Sequence, residues 1–288
     1  MKITKKIIIA VLCFMVLVVG LLFRNSHASD TLLNDGLYTF PHTSYYAYGY
    51  GEQPGVDIEL ITVHKGKPDG TFTNYTNPRF ICDDGSSLGT SFPADSPNAF
   101  PNSYGNISER TAFFIINGLA IGEKKNITAL EYTDSAGKEC RLELGNIEIE
   151  CVAADPEISP RIYARRYSWN TCVSPVMEDE DFCIDNYTDL DFEILGFGYG
   201  NAGIETRFRE KAIQVAGGQS LEVTIPVEMN PIDDQTPHIY VLKPKFTFSS
   251  KGIVNEGVFL QKSYKFYVPD TADNIISYFI LNEIKEHI

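Results

Sequence analysis

Apolar residues follow three different patterns along the chain. Ile7 to Phe23 is an unbroken apolar run flanked by Lys2, Lys5 and Lys6 on one side and Arg24 on the other. From Val56 to Val268 apolar and polar positions alternate in short runs separated by Gly, Pro, Asn and Asp, the period of strands whose successive side chains point to opposite faces. At the end, Ile276, Phe279, Ile280, Ile284 and Ile288 recur at helical spacing, and Asp270, Thr271 or Asp273 supplies a cap. The expected fold is mainly β: a β-rich domain over residues 30–154, a β-sandwich over 161–269 and a short C-terminal amphipathic helix over 270–288. Pro156 and Pro160 break the strand pattern and mark the boundary.

Individual strands are expected at Val56–His64 and Thr71–Cys82, joined as a hairpin through Lys65–Gly70, then at Thr111–Ile121, Ile127–Tyr132 and Arg161–Trp169. Five more follow at Leu190–Phe197, Ile204–Arg209, Leu221–Val227, His238–Phe248 and Val258–Val268. Ile213–Val227, two alternating stretches about Gly217-Gly218, resembles the strand–turn–strand of bacterial immunoglobulin-like modules. That resemblance implies an immunoglobulin-like β-sandwich and no activity. Residues 83–110, with Pro93, Pro97 and Pro101, lack periodicity and read as a long loop.

Lysines ahead of an apolar run with no acid are the pattern of an export signal, and Ser26-His27-Ala28 ends in the small residues a signal peptidase reads. The run is also nearly long enough to span a bilayer. Residues 1–28 are therefore expected to act as a cleaved signal peptide or as an N-terminal membrane anchor, with the body extracytoplasmic in either case: secreted, periplasmic or tethered. The whole chain carries −14, and removing Lys2, Lys5, Lys6 and Arg24 leaves −18 on the exported part. A body this acidic argues against nucleic acid as a partner.

In an oxidising compartment the remaining cysteines read first as disulfides. Gly145-Asn146 is a two-residue turn signal flanked by alternating residues, which would place Cys140 opposite Cys151 in a hairpin. Cys172 and Cys183 enclose Glu178-Asp179-Glu180-Asp181 and are expected to close an acidic loop. Those acids supply the oxygens calcium wants, without EF-hand spacing, so calcium is the one cofactor left open; no metal ligands are assigned.

Catalytic signals are weak. Gly85-Ser86-Ser87-Leu88-Gly89 matches a nucleophile elbow, with His238 and Asp233 or Asp234 as the only sensible partners, but Thr90-Ser91-Phe92-Pro93 does not open a helix. Gly198-Tyr199-Gly200-Asn201-Ala202-Gly203 matches a dinucleotide fingerprint and leads into alternation, so its glycines read as turn residues. Sequons stand at Asn74, Asn106, Asn126 and Asn186. Tyr45, Tyr46, Tyr48 and Tyr50 are candidate ligand-binding residues, because clustered tyrosines offer flat faces with polar tips. The leading expectation is an exported, non-enzymatic binding protein, an adhesion or envelope-assembly module for a protein or glycan ligand. The alternatives are an exported hydrolase using Ser87 or a carboxylate pair, and an accessory subunit docking on a membrane complex through its C-terminal helix.

Overall fold

The computed structural model describes residues 36–63, 75–92, 102–104, 107–155, 157–164, 170–172, 176–200, 202–206, 212–229 and 238–267. The leader over 1–28 and the helix expected over 270–288 lie outside these residues. Among the described residues every regular element is a strand. In chain order they are β1 (Gly36–Tyr38), β2 (His42–Tyr48), β3 (Gly55–Val63), β4 (Thr76–Cys82), β5 (Ser87–Thr90), β6 (Asn102–Tyr104), β7 (Ile107–Asn117), β8 (Lys124–Thr133), β9 (Glu139–Cys151) and β10 (Arg161–Ala164). There follow β11 (Asn170–Cys172), β12 (Val176–Asp185), β13 (Phe192–Gly198), β14 (Ile204–Thr206), β15 (Ile213–Val215), β16 (Ser220–Met229), β17 (His238–Lys243), β18 (Lys245–Ser250), β19 (Ile253–Val258) and β20 (Ser263–Tyr267).

The largest sheet runs β1-β3-β7-β5-β4-β8-β9-β2-β17-β20-β11, with β6 beside β7. It curls until β2 faces β3 across a core. The Tyr46 hydroxyl donates to the Asp57 carbonyl at 3.2 Å and accepts from the Asp57 amide at 2.9 Å, and the Tyr48 hydroxyl donates to the Gly55 carbonyl. Between the facing strands lie Ile58, Leu60, Phe80, Phe114, Leu130 and Ile147. Two antiparallel four-stranded sheets, β10-β12-β16-β14 and β15-β13-β18-β19, enclose a second core rich in phenylalanine, including Phe182, Phe192, Phe246, Phe248 and Phe259.

Strands β2 and β17 lie side by side in parallel and are buried along their whole length, because each serves both cores. Tyr46, Tyr48, Ile239 and Val241 enter the first core, while Tyr45, Ala47, Tyr240 and Leu242 enter the second. At ~1.5–3 kcal/mol per buried large side chain, this shared pair is a main tie between the two cores. Three strands that follow Pro160 in sequence, β11, β17 and β20, belong to the largest sheet.

Several sequence expectations need correction. Residues 140–151 are not a hairpin: β9 is one 13-residue strand, paired with β8 on one side and β2 on the other. Gly145 does take the left-handed conformation a turn would require, φ 87°, but uses it in a bulge where the register with β8 jumps between Ile127/Ile147 and Ala129/Glu143. A Cβ there would stand 2.6 Å from the His42 carbonyl oxygen, so glycine is demanded by the close approach of β2 as well. Cys140 and Cys151 consequently sit at opposite ends of one strand, roughly 36 Å apart at the usual rise per residue, and both are free thiols. The expected acidic loop is strand β12, in which Cys183 is also a free thiol, so the Cys172–Cys183 bridge is not formed either. The side chain of Cys172 lies outside the described residues. The stretch over 83–110 holds β5, β6 and the start of β7, strands too short or too polar to show a period. Strands β3 and β4 exist but are not partners: β3 pairs with β1 and β7, β4 with β5 and β8.

Candidate functional site

Four connections gather at one end of the sheets: 49–54 after β2, 118–123 after β7, 152–160 after β9 and 259–262 after β19. Backbone bonds fasten them. The Tyr50 amide donates to the Ala154 carbonyl at 3.1 Å, Val152 to Tyr48 at 2.8 Å, Gly122 to Cys151 at 2.6 Å and Leu260 to Ile162 at 3.0 Å. Between them opens a cleft of about 310 Å³, bounded by Tyr50, Glu52, Ser159, Arg161, Val258 and Leu260. Tyr50 (67% exposed), Ile121, Ile158 and Leu260 (50%) all stand open to solvent at this end. Of these, Tyr50 and Leu260 line the cleft itself; single exposed apolar residues are ordinary, and a pair lining one cleft marks a candidate contact surface.

The turn that presents Tyr50 is held from beneath. Lys243, its side chain 4% exposed, donates from Nζ to the Ala47 carbonyl at 2.8 Å and to Glu52 Oε2 at 2.7 Å, and lies 4.6 Å from the Tyr48 ring centre. Glu52 Oε2 also accepts from the Gly49 amide at 2.8 Å. Burial pushes the Lys243 ammonium below the usual lysine range, and the Glu52 carboxylate opposes that shift. The charge stays useful here because its carboxylate and carbonyl partners replace water.

The opposite wall is set by β10. Arg161 pairs in register with Asp185 of β12, and its guanidinium packs 4.9 Å from the centre of the Tyr187 ring, which is 69% exposed. Asp185 accepts from the Tyr187 hydroxyl at 3.0 Å and from the Tyr163 hydroxyl at 3.2 Å. A hydrogen bond from Ser220, first, and those from the two tyrosines hold its carboxyl below the usual range despite partial burial. Asp185 thus spends its oxygens on hydroxyls. Among the described residues, no carboxylate makes an ion pair with Arg161.

Of the four candidate tyrosines only Tyr50 reaches this surface. Tyr45 and Tyr46 are fully buried and Tyr48 nearly so, which corrects the expectation that they contact a ligand: a strand with a core on each side has no exposed face. Tyr45 donates to Glu150 Oε2 at 2.8 Å, and Lys245 holds the other oxygen at 2.8 Å; burial and then Glu150 push this phenol well above its ordinary range. Ser87 opens β5 rather than standing at a strand-to-helix turn, and four strands separate β5 from β17, where His238 is buried. Gly198–Gly203 leads into β14, not a helix, so no phosphate-binding N-terminus follows it. Gly200 and Gly203 both take positive φ, and a Cβ on Gly200 would collide with Glu148 and Tyr45. Among the described residues no group of three or more His, Cys, Asp or Glu is placed to hold a metal, since alternation along β12 sends neighbouring acids to opposite faces. Asn186 is 2% exposed and donates to the Leu190 and Ala216 carbonyls, so this sequon is structural.

No protein-family model matches the chain, and no curated protein matches it in sequence. Among solved structures it is similar to a protein of unknown function from Porphyromonas gingivalis W83, at 8% identity over 80% of this chain and 98% of that chain, TM-score 0.23. It is also similar to CfaE, the adhesive subunit of the CFA/I fimbria of enterotoxigenic Escherichia coli, at 10% identity over 82% of this chain and 100% of that chain, TM-score 0.22. At these scores the likeness assigns neither topology nor activity to this chain.

Proposed function

We propose that the chain is an exported, non-enzymatic binding protein, an adhesion or envelope-assembly module whose contact surface is the cleft between Tyr50 and Leu260. The observation that carries this reading is the exposure of Tyr50 and Leu260 in the lining of a cleft whose turn is fixed in advance by Lys243 and Glu52. Preorganised loops on a rigid scaffold lose little entropy on binding. Export is supported by the lysines ahead of the Ile7–Phe23 run, which either leaves with a signal peptide or keeps the body tethered outside the cytoplasm. An immunoglobulin-like character for the second unit is supported by its two antiparallel four-stranded sheets around one aromatic core.

The test is binding of the purified exported body to a glycan array and to surfaces coated with collagen, fibronectin or fibrinogen. The expected result is binding to at least one surface that is lost in a Tyr50→Ala, Leu260→Ser variant. Both positions are exposed, so stability should stay within about 0.5 kcal/mol. Turnover of ester or glycoside substrates, abolished by one substitution, would overturn the reading in favour of a hydrolase.

A further inference from the structure

The cleft combines a cation that has no ion-pair partner among the described residues with one flat aromatic face, on a body that is otherwise strongly acidic. Arg161 lines it without an ion-pair partner among the described residues, and its guanidinium is backed by Tyr187, which does not itself line the cleft. The arrangement is prepared rather than incidental: Asp185, the residue opposite Arg161 in the strand register, fixes the Tyr187 hydroxyl and so sets the angle of that ring. Tyr50, the aromatic residue of the lining, leaves about two thirds of its surface free, 67%. Ser159 adds a hydroxyl oxygen with no hydrogen-bond partner in the wall of the cleft.

We infer that the cleft takes an acidic carbohydrate, a sugar bearing a carboxylate that pairs with Arg161 while a ring face lies on Tyr50. The inference rests on the reading of this cleft as the ligand-contact surface and adds the chemical class. A guanidinium presents two parallel N–H donors that match a carboxylate, and this fork is the local feature favouring an anion against the field of a body carrying −18. The C–H face of a pyranose packs on an aromatic ring as an apolar surface, and its hydroxyls suit a wall carrying Ser159 and Glu52. A polyanion such as nucleic acid or a heavily sulfated chain would need several cations, and the cleft offers one.

The experiment is calorimetric titration of the exported body with trigalacturonic acid against its fully methyl-esterified form, and with sialyllactose against lactose. At least one acidic sugar should bind about tenfold or more tightly than its neutral partner. Arg161→Gln should erase that preference to within about twofold with an unchanged melting temperature, and Arg161→Lys should restore part of it. Tyr50→Ala should weaken acidic and neutral sugars alike. Equal binding of acidic and neutral sugars, or a preference that survives Arg161→Gln, overturns the inference and leaves the cleft standing as a binding surface. Binding of a coated protein that is lost in the Tyr50→Ala, Leu260→Ser variant, with no sugar bound, does the same. Absence of every interaction overturns both.

Discussion

Lys243 and Glu52, 191 residues apart in sequence, meet at 2.7 Å beneath the turn that carries Tyr50. The contact joins the end of β17 to the connection after β2, so the second half of the chain sets the shape of a loop in the first half. Replacing Lys243 with Met should leave the Ala47 carbonyl and the Gly49–Glu52 turn without their shared donor. A loss of about 1–3 kcal/mol in urea unfolding is expected, with faster amide exchange at Tyr50 and Gly51. Unchanged exchange at those amides would mean that the turn holds itself.

Stability should fall on mild acidification because of His42. Its ring is buried, Nε2 has no hydrogen-bond partner, and burial, reinforced by nearby His238, lowers its pKa from 6.5 to about 3. The unfolded chain takes up a proton near pH 6.5 and the folded chain does not. The neutral ring's contribution is therefore whole above pH 6.5 and is lost as pH falls toward 3, at ~1.4 kcal/mol per pH unit. Denaturant titrations of the wild type and of His42→Phe at pH 7.5 and pH 5 should differ in their pH dependence by about 2 kcal/mol.

Gly145→Ala should destabilise the protein by about 1–3 kcal/mol, far more than an ordinary strand glycine would. The backbone there has φ 87° and the new methyl would press on the His42 carbonyl. Gly137→Ala is a control for the first effect alone, since Gly137 has φ 79° but open space around its Cβ position. The excess cost at Gly145, read from the difference in denaturation midpoints, measures the close approach of β9 to β2.

Thiol labelling without reduction should find Cys82, Cys140, Cys151 and Cys183 free. Cys140 is half-buried and should react well before buried Cys82 and Cys151. Burial, followed by Asp134, pushes the Cys140 thiol up, so even this one should react more slowly at pH 7.5 than a small-molecule thiol. A mapped Cys140–Cys151 peptide would refute the continuous strand.

Strand content was legible wherever one face is wet and the other dry, as in β8, β9 and β16. It was least legible in β2, whose seven residues are all buried and so show no alternation. The same effect misled the functional reading of the tyrosines: density of aromatic residues at 45–48 reflected two cores meeting, and only Tyr50, just past the strand, was free to face a ligand. Pro244 was visible, yet its effect was not. It splits what reads as a single strand from His238 to Phe248 into β17 and β18, which go to different sheets. Gly145-Asn146 reads as a two-residue turn, but the positive φ at Gly145 bends a strand as readily as it reverses one, and sequence does not distinguish the two. Arg161 and Tyr187 carried no local signal, because their pairing depends on the register of β10 with β12.

The parallel pairing of β2 with β17 also governs the order of events as the chain is made. Strand β2 emerges early and pairs on one side with β9, while its other edge waits through the 86 residues between Cys151 and His238 for its partner. During that interval the edge and the faces of Tyr45 and Ala47 are open to any other extended segment. The step that ends the vulnerable period is the arrival of His238–Lys243.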